Sequence, residues 1–181
     1  MTGTTTGPTP GTTTATATAT ATATTTAAPT APARPTDSPN PWVADHIRRF
    51  EETGGVPRPG IRDLLLTTRG RRSGALRRTA LAYVRDGEGA GAAYVLTTSN
   101  AGAGHHPAWY LNLTADAEVT LQVGALTFPG VARRATPAET ERLWPVVVAA
   151  MPSYAAYRDA AAGAAGREIP LVLVTRTPDP A

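Results

Sequence analysis

Between residues 61 and 175 six short segments carry strand character, and most of the connections between them suit only a hairpin. Segment 61–68 is a short apolar run, and 79–85 alternates around Leu81 and Tyr83. Segment 92–98 repeats that theme, 118–123 turns Val119, Leu121 and Val123 to one side, and 126–133 returns after Gly124-Ala125. A last run, 169–175, is rich in β-branched residues. The connections GRRSGALRR and DGEGAGA are turn-like and far too short for crossover helices. A parallel wound sheet needs such crossovers. The pattern therefore predicts an α+β chain, mainly β, built on an antiparallel barrel of about six strands.

Three to four helices surround those strands. Asn40 is placed to cap the first, Pro41 occupies its first turn, and Gly54-Gly55 stops it. Val43, Ile47 and Phe50 make one apolar stripe along it. Residues 107–115 form a short helix with the Trp109-Tyr110 pair. Thr136-Pro137-Ala138-Glu139 is a capping box that opens a helix to about Ala150, with Pro145 as a kink inside it. A last piece covers 153–162 and ends at Gly163.

The first 40 residues are a different material: 17 Thr, 9 Ala, 6 Pro and 3 Gly. So little bulky apolar surface cannot offset the entropy of ordering, and this stretch is expected to be a disordered tail before a domain at 41–181. That domain is large enough to bury its own core. With no cysteine, disulfide scaffolds, thiolate metal sites and a Cys nucleophile are excluded. No apolar run approaches the length needed to span a bilayer, and the start has no basic and apolar leader pattern. A cytoplasmic location is expected. Peripheral contact at the inner membrane face stays open through the amphipathic helix 41–53.

All 17 basic residues are Arg. Arg58, Arg62, Arg69, Arg71, Arg72, Arg77 and Arg78 fall within 21 residues and are opposed in sequence only by Asp63, which makes that stretch +6 against +3 for the whole chain. Clustered guanidinium groups suit a phosphate or carboxylate ligand better than they suit a nucleic-acid surface. The tyrosines fall in a separate helical segment, so base stacking beside the arginines is not expected, nor is a nucleic-acid partner. No dinucleotide-binding glycine fingerprint and no Walker loop is present. His105 and His106 are adjacent and would diverge on a helix, so no metal site is expected.

Four runs then stand out in order: LLLTTRGRRSGALRRTALAYVRDG, TTSNAGAGHHPAWYLNL, WPVVVAAMPSYAAY and IPLVLVTRTP. From about Arg62 to Pro178 the chain resembles the deazaflavin-dependent nitroreductase and quinone reductase family of actinobacteria, whose members use coenzyme F-420. The resemblance implies a split β-barrel like that of FMN-binding flavin reductases. It further implies that Gly70, Arg71, Arg72, Ser73, Gly74 and Arg77 hold the phosphate and carboxylates of the coenzyme tail, and that the strand end Thr97, Thr98, Ser99 and Asn100 faces the deazaflavin ring. Asn100 stands where the family commonly has Lys or Arg. Trp109 lines the ring or acceptor pocket in the family, though packing on the barrel through Trp109 and Leu113 is an equal reading. Asn112 is implied to bind coenzyme. Tyr154 and Tyr157 flank the acceptor in the family and lie three residues apart here, so that both can face one pocket. Met151 and Ala82 replace aromatic residues, which implies a wider, less polar pocket. His105 and His106 read first as an exposed loop tip.

The function so implied is hydride transfer from reduced F-420 to a flat, electron-poor acceptor: a quinone, an enone or a nitroaromatic. Tyr154 is the candidate proton donor, with Ser99 close to the ring. The alternatives are an FMN-binding split-barrel oxidoreductase and a non-catalytic F-420 carrier. Monomer and homodimer both stand.

Overall fold

The structure, a computed structural model, describes residues 1–4, 34–57, 59–89 and 91–178. The low-complexity reading of residues 5–33 lies outside the described residues. In chain order the elements are β1 (Thr36–Asp37), α1 (Pro41–Glu52), β2 (Asp63–Arg69), β3 (Leu76–Asp86), β4 (Ala93–Thr97), α2 (Ala108–Leu113), β5 (Glu118–Val123), β6 (Leu126–Arg134), α3 (Pro137–Ala150), α4 (Ser153–Ala165) and β7 (Leu171–Arg176). Strands β2 to β7 pair antiparallel in the order β3-β2-β5-β6-β7-β4, and β4 pairs back onto β3. Six strands thus close a barrel, which removes the exposed edges an open sheet would leave.

Period-two alternation sets what faces in. Leu64, Leu66, Leu96, Leu121, Val172 and Val174 pack in one cluster with Phe128, and Tyr110 and Leu113 of α2 join it. The opposite faces are covered by helices. Val95, Leu171 and Leu173 pack with Leu143, Trp144 and Val147 of α3 and Ala161 of α4. Leu65 and Ala80 pack with Ile47 and Phe50 of α1. Residues 171–174 are buried on both faces, which is why β7 reads as continuous apolar sequence rather than alternation.

The caps behave as their sequence suggests. Asn40 accepts the Trp42 N–H through its side chain, and Thr136 and Glu139 form a reciprocal capping box. A buried pair, His46 Nε2 to Asp63 Oδ2 at 2.6 Å, ties α1 to β2. The stripe of α1 is therefore turned onto the barrel, with Trp42 left 63% exposed near its start. Among the described residues no helix is long and apolar enough to cross a membrane.

Several expectations are corrected. The folded unit reaches back before Pro41, since Thr36 and Asp37 pair in parallel with Arg77 and Arg78. Strand β3 begins at Leu76, so Arg77 and Arg78 belong to a strand and the turn is only 70–75. Helix α4 runs through Gly163 to Ala165 and is capped by left-handed Gly166 (φ 60°), because the alanine-rich run tolerates one interior glycine.

One glycine fixes the end of α1 against the barrel. Gly55 has φ 84°, and a Cβ there would lie 2.0 Å from the Gly124 carbonyl oxygen. Both groups are backbone and cannot step aside. Gly55→Ala should cost about 3 kcal/mol or more, the sum of left-handed strain and overpacking. Urea denaturation checks this; a loss under about 1 kcal/mol would mean the loop relaxes freely.

Candidate active site

The turn between β2 and β3 is held by its own backbone. Gly70 N–H donates to the Ala75 carbonyl at 2.8 Å, and the Ser73 and Gly74 N–H groups both donate to the Gly70 carbonyl. Gly74 takes φ 68°, which turns the chain back toward β3. The whole turn is pinned to the barrel by Asn112, buried on α2. Its Oδ1 accepts from Arg71 N–H at 3.2 Å, and its Nδ2 donates to Thr68 Oγ1 at 3.1 Å. Both halves of the amide are thus engaged within the protein. Asn112→Leu should cost about 1–3 kcal/mol, as the Arg71 amide and Thr68 hydroxyl lose their partner. A thermal melt together with an F-420 titration would show both losses; unchanged coenzyme affinity would mean the turn needs no clamp.

This turn forms one end of a groove of about 750 Å³. Arg71, Arg72, Ser73 and Arg77 line it, as do Thr97, Ser99, Asn100, Trp109, Asn112 and Tyr154. Among the described residues no carboxylate pairs with Arg71, Arg72 or Arg77. Other arginines of the sequence cluster are already matched: Arg78 with Asp37 and Glu51 at 2.7 and 2.5 Å, and Arg69 with Asp116 at 3.2 Å. Arg58 lies outside the described residues. An electropositive, uncompensated groove end results.

At the other end the backbone after β4 bends through a short 3-10 turn, Asn100–Gly102. Asn100 Nδ2 donates to the His105 carbonyl at 3.1 Å and closes this loop. Arg167, only 7% exposed, holds it from behind. Its guanidinium donates to the carbonyls of Ala103 (2.7 Å), Thr98 (3.0 Å) and Ser99 (2.6 Å). Burial lowers the pKa of Arg167 from its ordinary value.

Four placements differ from the sequence reading. Thr98 is fully buried with its hydroxyl donating to the Pro170 carbonyl at 2.9 Å, so Thr97, one residue earlier, presents to the groove instead. Gly74 shapes the turn without lining the groove. Tyr157 packs on the cluster under α3 and α4 and lines neither cavity of the site. His105 is exposed in its loop, as expected, at the rim of the groove, whereas His106 is half-buried and lines it. Burial lowers the pKa of His106, with Arg167 acting in the same direction.

A second cavity of about 350 Å³ adjoins the groove. Ala82, Val95, Val147, Ala150 and Met151 give it apolar walls, and Thr97 and Tyr154 line both cavities. Met151 and Ala82, the two positions expected to widen an acceptor pocket, therefore meet in one space. Tyr154 sits in the first turn of α4 and lines both cavities with Thr97. Burial raises its phenol pKa above the ordinary 10.0, while the neighbouring Thr97 works against that rise. The phenol is a neutral donor throughout the physiological range. The sequence reading places Thr97 only at the head of the run that faces the ring, and does not find Arg167 or the Arg62 and Arg85 pair on the second cavity. Strand alternation could have separated Thr97 from Thr98; nothing local marks the others.

The arrangement suits a long anionic ligand with a flat head. Guanidinium groups without a carboxylate partner and the Ser73 hydroxyl are donors of the kind such anions need, and Trp109 and the loop after β4 line the same groove beyond them. No group of three or more His, Asp or Glu placed to hold a metal occurs among the described residues.

Comparison with known proteins agrees. The sequence model of the family described as "F420H(2)-dependent quinone reductase" matches residues 42–176. Two Mycobacterium tuberculosis proteins named F420H(2)-dependent quinone reductase are each 34% identical over 116 residues, covering 62% of this chain and 72% of theirs. A solved structure titled F420-H2 Dependent Reductase (FDR-A) is 34% identical with a TM-score of 0.53, covering 62% of this chain and 92% of that one. Another, described as a domain-swapped dimer, is 33% identical with a TM-score of 0.56, covering 76% and 99%.

Proposed function

The chain belongs to the F420H(2)-dependent quinone reductase family, and from that membership we propose how its residues carry the activity. It is a deazaflavin-dependent oxidoreductase using coenzyme F-420, with a quinone as acceptor. The observation that carries the residue assignment is that one groove and one apolar pocket share the Tyr154 and Thr97 wall.

When bound, reduced F-420 supplies a hydride; with one proton from the protein or solvent it takes a quinone to its hydroquinone. Arg71, Arg72 and Arg77 bind the phosphate and carboxylates of the tail through charge-assisted hydrogen bonds. Ser73 adds a hydroxyl donor. Asn112 fixes the turn rather than the coenzyme. Ser99, Asn100 and Trp109 hold the ring end, with Arg167 fixing the loop on which Ser99 stands. Ala82, Val95, Val147 and Met151 exclude water around the acceptor and orient its flat body. Tyr154 donates its phenolic proton to the acceptor oxygen.

Three arginines without a carboxylate partner exceed what the single phosphate of FMN requires, which favours the polyanionic coenzyme. A homodimer is the favoured assembly, supported by the domain-swapped relative. Fluorescence titration with oxidised F-420 beside FMN tests the reading, followed by hydride transfer from reduced F-420 to menadione. Saturable F-420 binding with turnover is expected. FMN binding alone would return the chain to the ordinary flavin barrels, and binding without turnover to any acceptor would leave a carrier.

A further inference from the structure

Two arginines line the apolar pocket on the side it does not share with the groove. Arg62 is exposed just before β2, and Arg85 is half-buried near the end of β3. No Asp or Glu lines this pocket. The nearest acidic residues in sequence are occupied: Asp63 lies against His46 at 2.6 Å, and Asp86 accepts both terminal nitrogens of Arg142 at 2.7 and 2.8 Å. Arg85 is aimed by its surroundings. Its Cζ lies 4.4 Å from the centroid of the Tyr94 ring, and Nη2 donates to the Gly89 carbonyl at 2.9 Å. Its Nε is buried and has no hydrogen-bond partner among the described residues. Tyr83 lies within electrostatic reach of both guanidinium groups and lines the same pocket.

Two guanidinium groups without a carboxylate partner give this apolar cavity a positive rim, which favours an anionic group on whatever enters it. Elsewhere this chain matches its arginines closely: Arg69, Arg78, Arg133, Arg134 and Arg142 each face a carboxylate. Among the described residues Arg62 and Arg85 share this lack of a carboxylate with the groove arginines, and with Arg158 and Arg167 at a third cavity, where Arg158 lies over the Trp144 ring and Arg167 donates to three backbone carbonyls.

We propose that the acceptor is a quinone carrying an anionic substituent, a carboxylate or similar group, held by Arg62 and Arg85 while its ring lies against Ala82, Val95 and Met151 toward Tyr154. This rests on the quinone reductase reading and narrows it. The charged group fixes which way round the ring enters. The same pair favours such a quinone over a purely apolar one, because only the anionic substituent gains charge-assisted contacts with the guanidinium groups.

The test uses the full chain loaded with oxidised F-420 and two probes: menadione bearing a propanoate side chain, and its methyl ester. The ring is the same in both, so they differ mainly in charge. Equilibrium dialysis should show the acid binding about tenfold tighter than the ester at low ionic strength, with the gap narrowing as salt rises. In Arg62→Gln/Arg85→Gln the two should bind alike. A single Arg62→Gln variant, at an exposed position, should close part of the gap without touching the core. Equal binding of acid and ester by the parent protein would overturn the proposal, as would a gap that survives in the double variant. Turnover with reduced F-420 separates the two readings. Tighter acid binding without reduction of either probe would sink the reductase reading and leave the anion site. Reduction of both probes with equal binding would do the reverse.

Discussion

Replacing Arg72 and Arg77 together by Gln raises the dissociation constant for F-420 by roughly two to four orders of magnitude, because removing each charge-assisted hydrogen bond costs about 1.5–3 kcal/mol. Both side chains are exposed and face no carboxylate of this chain, so the melting temperature stays within about two degrees of the parent's. The control is the deazaflavin ring stripped of its phosphate and glutamate tail. Parent and variant should bind that fragment equally weakly, since only the tail meets the turn. Added salt should weaken the parent's hold on the intact coenzyme and barely affect the variant's. If the variant keeps the parent's affinity for intact F-420, the turn is a solvated hairpin tip and the tail lies elsewhere. Arg71 is left untouched because its backbone is clamped by Asn112, and its side chain reaches the same oxygen at 3.4 Å.

Tyr154→Phe lowers turnover by about a hundredfold while leaving F-420 affinity nearly unchanged, the size expected for loss of one positioned proton donor. The pH profile adds a second readout. The donating form is the neutral phenol, and burial raises its pKa above 10.0. Turnover in the parent should therefore hold as pH rises to 10 and fall only beyond it, as the phenol loses its proton. The Phe variant should show no such limb. Thr97 lies beside the phenol, so Thr97→Val serves as a companion: it removes the neighbouring hydroxyl and keeps the acid. A Phe variant with full turnover would take Tyr154 out of the chemistry and leave it a wall. A Thr97→Val variant as impaired as Tyr154→Phe would reassign the phenol to positioning.

Local chemistry makes much of this molecule legible. The strand at 118–123 falls where alternation puts it, and the helix starts at Pro41 and Pro137 follow their capping residues because a cap is a contact within three positions. The turn at 70–75 is equally plain, since glycines bracket it. Alternation alone starts β3 three residues late because Arg77 and Arg78 look like turn residues; their pairing with Thr67, Thr68 and β1 makes them strand. The tyrosine pair shows the opposite limit. Spacing of three puts Tyr154 and Tyr157 on one helix face, yet their rings meet edge to face at 6.1 Å and only Tyr154 reaches the cavities.

The arginine cluster divides the two kinds of knowledge most sharply. From sequence alone it is an anion site of seven guanidinium groups set against Asp63. Charge and hydrogen-bonding capacity belong to residue types and survive any fold, so an anionic ligand is already implied. Which arginines are free to hold it depends on carboxylates brought in from far along the chain. Asp37 and Glu51 reach Arg78 across 41 and 27 residues, and Asp116 reaches Arg69. The same long-range closure carries Asn112 across 41 residues to Arg71, and Arg167 across more than 60 to the loop after β4. Barrel closure decides those encounters, because strands distant in sequence must pair before the groove has two sides. Residue chemistry named the ligand's charge, and tertiary packing chose the atoms that meet it.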